Sequence, residues 1–372
     1  MSAGFEIQLI AVIISVACAL PGTFLVLRKM SMMTDSITHT ILLGIVLAFF
    51  ITWDLKSPVL IIGAALMGVF TVWLTETIIS TKIVSKDASI GLVFPLLFSV
   101  AIILISKYAG SSHLCTDSVL LGEIAFAPFD RLVIMGVDIG AKSIYMGGAL
   151  FLFNLFLIVL FFKELKLVTF DPMLAAAVGI SPVIIHYGLM SIVSLTAVVS
   201  FEAVGSILVI AFMIGPPVTA YLLVDDLKKL LCLSGVFGAT AGIGGYQLAK
   251  LFDISIAGSM AIVVGIVFVI VFILAPKRGL ISIFFRKKRQ KKEFAIATLM
   301  MHIYSHQNTA DEFEENGINT ISTHLYWERK KTDKIINILI NEGKAELKND
   351  MLILTPHGIN ATESAVGALL KI

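Results

Sequence analysis

Asp35 and His39 stand four residues apart at the head of an apolar run. On a helix, positions i and i+4 share one face, so a carboxylate oxygen and an imidazole nitrogen can converge there on a single ion. Those donors suit manganese, iron(II) or zinc. Charge inside a membrane segment is costly and tends to face a pore or a partner, which points the pair toward an ion pathway. A structural reading stands beside it: Asp35 caps a helix that begins there, or the two side chains form a buried hydrogen-bonded pair. Glu202, between Phe201 and Ala203 with no basic neighbour in sequence, is a further pathway and metal candidate. His186 lies sixteen residues earlier, at the opposite end of the same span, and reads as a hydrogen-bonded structural histidine. Glu76 reads as a boundary residue, snorkelling or hydrogen-bonded near an interface.

The elements that must position these groups are membrane spans. Of 372 residues, 58% are hydrophobic and 15% charged, with a mean hydropathy of +0.96, whereas a soluble domain carries about 25% charged residues. Secreted, fibrous and disordered classes are excluded. Against the roughly 20 residues that cross a bilayer, apolar runs fall at residues 7–27, 37–53, 58–79, 90–106, 144–162, 183–201, 203–224, 230–251 and 255–275. The two flanking Glu202 abut closely enough to be one broken segment, so the expectation is eight or nine helices. The first run is too long and too lightly charged for a cleaved signal peptide. Cys18, Cys115 and Cys232 are scattered and form neither a disulfide framework nor a metal knuckle.

Basic residues in alternate short loops give the orientation. One set holds Arg28, Lys29, Lys82, Lys86, Lys163, Lys166, Lys228 and Lys229 and leads into the basic run after Ala275; the other holds Lys56, Lys107, Arg131, Lys142 and Lys250. The richer set is assigned to the cytoplasm, with the N-terminus outside. A transmembrane domain is expected over residues 1–280, then a basic juxtamembrane linker at 281–292 that touches anionic lipid, then a cytoplasmic domain over 293–372. In that last domain, helical patterns at 294–306, 309–315 and 320–341 precede a hairpin with strands at 345–347 and 351–354, with Gly343 as a helix stop. This order suggests a winged helix. The expected fold class is therefore an all-α polytopic membrane protein followed by a small soluble α+β winged-helix domain.

Residues 170–181 form another local signature. Asp171 is a cap, Pro172 fits the first turn and Gly179 stops the helix, giving a short helix that needs a partner surface. Gly238 and Gly242 permit close helix packing. The stretch 107–143 is long for a loop; it predicts a re-entrant or interfacial helix near 119–127, with His113, Cys115, Asp117, Glu123, Asp130 and Asp138 as subordinate metal or docking candidates. No GxxxxGK[ST] loop occurs, so any ATP-driven work needs another subunit.

With these residues in place, 7–280 resembles the membrane permease of bacterial ABC importers for manganese, iron or zinc. The resemblance rests on residues 22–31 running on through Asp35 and His39, on 116–128, on 170–180, and on 201–210 running through Pro216, Pro217 and Ala220. It implies a multi-pass protein of the bacterial cytoplasmic (inner) membrane, pairing with a second permease copy or paralogue. Cytoplasmic ATP-binding subunits would drive it and an extracytoplasmic metal-binding protein would feed it. In that picture Asp35 and His39 match the family's metal ligands, and Asp171, Pro172, Ala175, Val178 and Gly179 match the segment that couples to the ATPase. Thr34 stands where the family usually has glycine. The transported ion is cargo, manganese or iron before zinc, with no permanently bound cofactor and no enzymatic activity on this chain.

The tail is similar to the winged-helix part of DtxR-type metal-dependent repressors through 335–343 and 352–358. Residues 293–372 carry seven Lys or Arg against eleven Asp or Glu, unlike most DNA binders. A protein-contact or regulatory role is therefore preferred, and nucleic acid is not an expected partner. Arg329, Lys330, Lys331 and Lys334 are the residues that would contact DNA if it bound. Two alternatives stay open: a proton-coupled secondary metal transporter, and a membrane-tethered metal-linked transcription regulator.

Overall fold

The computed structural model describes residues 2–54, 57–108, 124–134 and 137–369. Most of the predicted 119–127 helix, together with His113, Cys115, Asp117 and Glu123, lies outside the described residues. The chain divides into two compact units, Met1–Gly279 and Leu280–Ile372.

Among the described residues of the first unit, nine helices are long and apolar enough to cross a membrane. They are α1 (Ala3–Leu27), α2 (Ser31–Thr52), α3 (Val59–Ser80), α4 (Lys86–Tyr108), α5 (Lys142–Leu160), α8 (Pro182–Val204), α9 (Ser206–Leu223), α10 (Leu227–Phe252) and α11 (Ile256–Leu274); between α5 and α8 lie two shorter helices, α6 (Phe162–Phe170) and α7 (Pro172–Ala177). The first unit is thus a mostly helical multi-pass membrane protein. The segments flanking Glu202 are separate helices: α8 ends at Val204 and Gly205 turns the chain at φ +80°, ψ 164°, a region open essentially to glycine alone.

α1 is buried along most of its length and packs against α5, α8, α9 and α10, while α2 packs against α3, α4 and α8. Lipid tails are as apolar as leucine, so such helices associate through close packing and interhelical hydrogen bonds. A Cβ on Gly242 would stand 3.1 Å from the Ala11 side chain, and one on Gly238 3.1 Å from Ser15 Oγ. That is the close approach the spacing of the two glycines implied. Asn154 Nδ2 donates to Ala17 O (3.0 Å) and Thr196 Oγ1 (2.8 Å), and Thr71 Oγ1 donates to Thr40 Oγ1 (2.7 Å); such bonds contribute about 0.6 kcal/mol each. α11 instead exposes Ile262, Ile266, Val269, Ile270 and Ile273, an apolar face suited to lipid.

Opposite the end bearing Arg28, a hairpin of β1 (Arg131–Ile134) and β2 (Val137–Ala141) precedes α5. Arg131 fastens it, reaching Asp138 Oδ2 (2.9 Å) on the partner strand and Glu6 Oε2 (3.0 Å) on α1.

The second unit opens with α12 (Leu280–His306). The basic stretch expected as a linker is therefore helical, in keeping with the high helix propensity of Arg, Lys and Gln. It continues through α13 (Glu312–Glu315), α14 (Ile321–His324), α15 (Arg329–Asn341), the hairpin of β3 (Ala345–Lys348) and β4 (Met351–Leu354), and α16 (Pro356–Leu369). α15 buries Thr332, Ile335, Ile336 and Leu339, the i, i+3, i+4, i+7 stripe of an amphipathic helix. That stripe meets Leu299 and Ile303 of α12 and Leu352 and Leu354 of β4 in one core. Asn349 and Asp350 turn the hairpin at φ 50° and 60°, as a two-residue type I′ loop requires. Of the winged-helix expectation the structure shows the coarser part: helices, one small two-stranded hairpin and a closing helix that the sequence pattern did not announce.

Candidate functional site

The helix carrying Asp35 and His39 begins six residues before the apolar run does. Its N-cap is Met30 and Asp35 is the fifth residue inside, so Asp35 is not a cap. At 1.5 Å per residue, Asp35 and His39 lie about 6 and 12 Å from the first residue of α2. Thr34, Ser36, Thr38 and Thr40 in the polar head of the helix are all fully buried, and Thr38 Oγ1 and Thr40 Oγ1 offset that cost by donating to the carbonyls of Asp35 and Ser36, each at 2.9 Å. Asp35 Oδ1 and His39 Nε2 are 3.4 Å apart, with about a third of each side chain exposed. Phe94 and Phe98 of α4 flank the imidazole, with ring centroids 5.6 and 5.8 Å away. The pair thus offers one oxygen and one nitrogen donor on an accessible face, walled on one side by aromatic rings. Two protein donors leave most positions of a divalent ion to water or another chain, an arrangement for reversible rather than permanent binding.

Glu202 is elsewhere. It sits at the far end of α8, exposed, with Oε1 2.9 Å from Lys142 Nζ; Asp130 Oδ2 is 3.7 Å from the same ammonium. These three line a cavity of about 270 Å³ with Phe126 and Ala127. His186, one turn into α8, is at the opposite end of that helix. Its Nε2 is 2.5 Å from Glu76 Oε1 on α3, and its Nδ1 is 3.3 Å from Arg28 Nη1. Arg28 Nε donates in turn to Thr169 Oγ1 on α6 at 3.1 Å. The structural reading of His186 and Glu76 therefore fits, and it adds Arg28 and Thr169, which sequence spacing had not singled out.

The short helix at residues 172–177 forms as its signature requires. Asp171 Oδ1 accepts from Leu174 N (2.9 Å), Pro172 occupies the first turn, and Gly179 leaves the helix at φ +85°. Ala175 is fully buried and anchors α7 to its own unit, whereas Phe170, Met173, Leu174 and Val178 are exposed. A solvent-facing apolar surface on a capped helix is what a protein partner would cover. Met173 and Leu174 had not been singled out, although apolar side chains on a short capped helix between two spans were a readable signal.

In the second unit, Arg329, Lys330, Lys331 and Lys334 lie exposed at the start of α15. Two already have partners: Arg329 Nη2 donates to Asn319 Oδ1 (2.6 Å), and Lys331 Nζ lies 3.8 Å from the centre of the Trp327 ring.

A bundle in which nine of the described helices are long and apolar enough to cross a membrane, with Asp35 and His39 facing one another on one of them and a short exposed helix between two others, is that of a multi-pass membrane protein. A family model described as the ABC 3 transport family matches residues 5–275, and the chain belongs to that family. The zinc transport system membrane protein TroD of Treponema pallidum (strain Nichols) is 41% identical over 359 residues, 96% of this chain and 98% of TroD. The manganese transport system membrane protein MntD of Bacillus subtilis (strain 168) is 42% identical over 293 residues, 78% of this chain and 99% of MntD. A solved structure, PsaBC from Streptococcus pneumoniae in complex with Fab, is similar with a TM-score of 0.62 and 30% identity, covering 75% of this chain and 94% of that one.

Proposed function

We propose that the chain is the permease subunit of an ATP-driven importer of a divalent transition metal ion, manganese or iron before zinc. The observation that carries this reading is the Asp35–His39 pair, 3.4 Å apart on one face of α2. Relatives named for zinc and manganese transport support the cargo class. Lys and Arg enrichment supports a cytoplasmic location for the Arg28 end and the α5–α8 connection, and the second unit follows in the cytoplasm.

The exposed face of α7, around Met173, Leu174 and Val178, docks a separate ATP-binding subunit, with Asp171 and Pro172 starting the helix, Ala175 anchoring it and Gly179 ending it. An extracytoplasmic metal-binding protein delivers the ion to the opposite end, where Glu202, Lys142 and Asp130 line the cavity. A second permease copy or paralogue completes the pathway. Asp35 supplies negative charge and His39 a neutral nitrogen donor; together they hold a partly hydrated ion briefly while the bundle opens to one side and then the other. The second unit is a winged-helix-like regulatory module. Its acidic balance and the engagement of Arg329 and Lys331 within the unit favour a protein contact over DNA.

Proteoliposomes holding this chain with its ATPase and binding-protein partners test the reading. ATP-dependent accumulation of manganese, iron(II) or zinc is expected. Accumulation by the chain alone under a pH gradient would replace it with a proton-coupled transporter.

A further inference from the structure

A second group of metal-ligating side chains lies outside the membrane unit. His302 and His306 project from the same face of the last turn of α12, their ring centroids 4.9 Å apart. Glu315, the last residue of α13, meets them: its Oε2 is 3.6 Å from His302 Nε2. One donor atom from each of the three residues lies within 4.8 Å of the others. His324, closing α14, places Nδ1 3.2 Å from the same Glu315 oxygen. All four are partly buried, with the His302 side chain 12% exposed.

We propose that His302, His306 and Glu315 form a binding site for a divalent transition metal ion in the second unit, with His324 orienting the Glu315 carboxylate. Two imidazoles and one carboxylate are a borderline-to-hard donor set suited to zinc, iron(II) or manganese and poorly suited to calcium or magnesium, which favour oxygen. A tetrahedral ion with bonds of about 2.1 Å sets its donors about 3.4 Å apart, so donors that now lie within 4.8 Å of one another close by at most about 1.4 Å. His302 Nε2 also lies 3.0 Å from the Glu315 carbonyl oxygen, a contact that positions the ring and that the ion exchanges for a coordinate bond. The partial negative charge at the C-terminus of α12, where His306 is the final residue, adds to the attraction for a cation. His324 is the outer partner that a ligating carboxylate commonly has.

Three protein donors leave open positions for water, so the ion exchanges. Its binding clamps the end of α12 to α13 across residues 307–311. The ordering of that connection follows from the site alone. That the site reports the metal the permease carries rests on the importer reading.

The test uses the full chain in detergent with Asp35→Ala and His39→Ala, so that the membrane pair cannot bind, and no ATPase is present. Zinc chloride and manganese chloride are offered separately in equilibrium dialysis, and amide exchange is followed over residues 302–324. One ion per chain is expected to bind, slowing exchange in that segment. Glu315→Gln, which is nearly isosteric, and His306→Gln each should weaken binding at least 10-fold and remove the protection; His324→Gln should weaken it about 10-fold. Either no bound ion in the Asp35→Ala, His39→Ala chain, or binding unchanged by Glu315→Gln and His306→Gln, would overturn the proposal. Binding by a chain that supports no ATP-driven uptake in its parent form would leave this site standing and remove the importer reading instead.

Discussion

The imidazole of His186 stands 2.5 Å from Glu76 through one ring nitrogen and 3.3 Å from Arg28 through the other, joining α3, α8 and the α1–α2 connection. Arg28 extends the chain of contacts to Thr169 on α6, the helix directly before α7. α3 packs against α2, which carries Asp35 and His39. The polar cluster therefore links the segment that would meet the ATPase to the helix that would hold the ion.

Removing the centre of that cluster has a specific expected effect. His186→Ala leaves Glu76 and Arg28 partly buried without their shared partner, a cost of about 1–3 kcal/mol. Thermal denaturation of the detergent-solubilised protein should show a clear downward shift. His186→Gln, which can still bridge the two groups, should recover part of it.

The α7 surface makes a separate prediction. Asp171→Ala removes the cap, costing about 1 kcal/mol of local stability, and Asp171→Ser should restore most of it. Met173→Glu and Val178→Glu leave the helix intact but place charge in an exposed apolar face. Both glutamate variants should lower co-purification of the ATP-binding subunit far more than Asp171→Ser does, as read by subunit ratio after affinity capture.

A pH dependence attaches to the β1–β2 hairpin. The Arg131 guanidinium, hydrogen-bonded to Asp138, holds that carboxyl below its ordinary range, and the Gly140 amide adds to the effect. A carboxyl depressed in the folded state contributes stability that is present above its unfolded pKa and is lost as pH falls through the folded one. Hairpin anchoring should therefore be constant through neutral pH and weaken only below the ordinary carboxylate range. Amide exchange over residues 131–141, compared between wild type and Asp138→Asn, should converge at acid pH and differ at neutral pH.

Much of the bundle was legible because bilayer thickness imposes a length that hydropathy reveals, and the nine apolar runs correspond to nine helices. The start of α2 was not legible. Thr34 and Ser36 lower its apparent hydropathy, yet both are buried by neighbouring helices, which a linear reading cannot show. The α7 helix was readable because its cap, proline and glycine are local signals. The partners of Glu202 and His186 come from elements 60 and 110 residues away in sequence, and no spacing rule connects them. The β1–β2 hairpin escaped for the same reason, since its anchor is Glu6. His302, His306, Glu315 and His324 converge only through the turns between α12, α13 and α14.

The most direct test of the central claim is ATP-dependent metal uptake by reconstituted complexes carrying Asp35→Asn or His39→Gln, with ATPase co-purification measured alongside. Uptake of every tested ion should fall to the level seen without ATP while the complex still assembles. Wild-type uptake in either variant would contradict the assignment of the pair to the ion pathway.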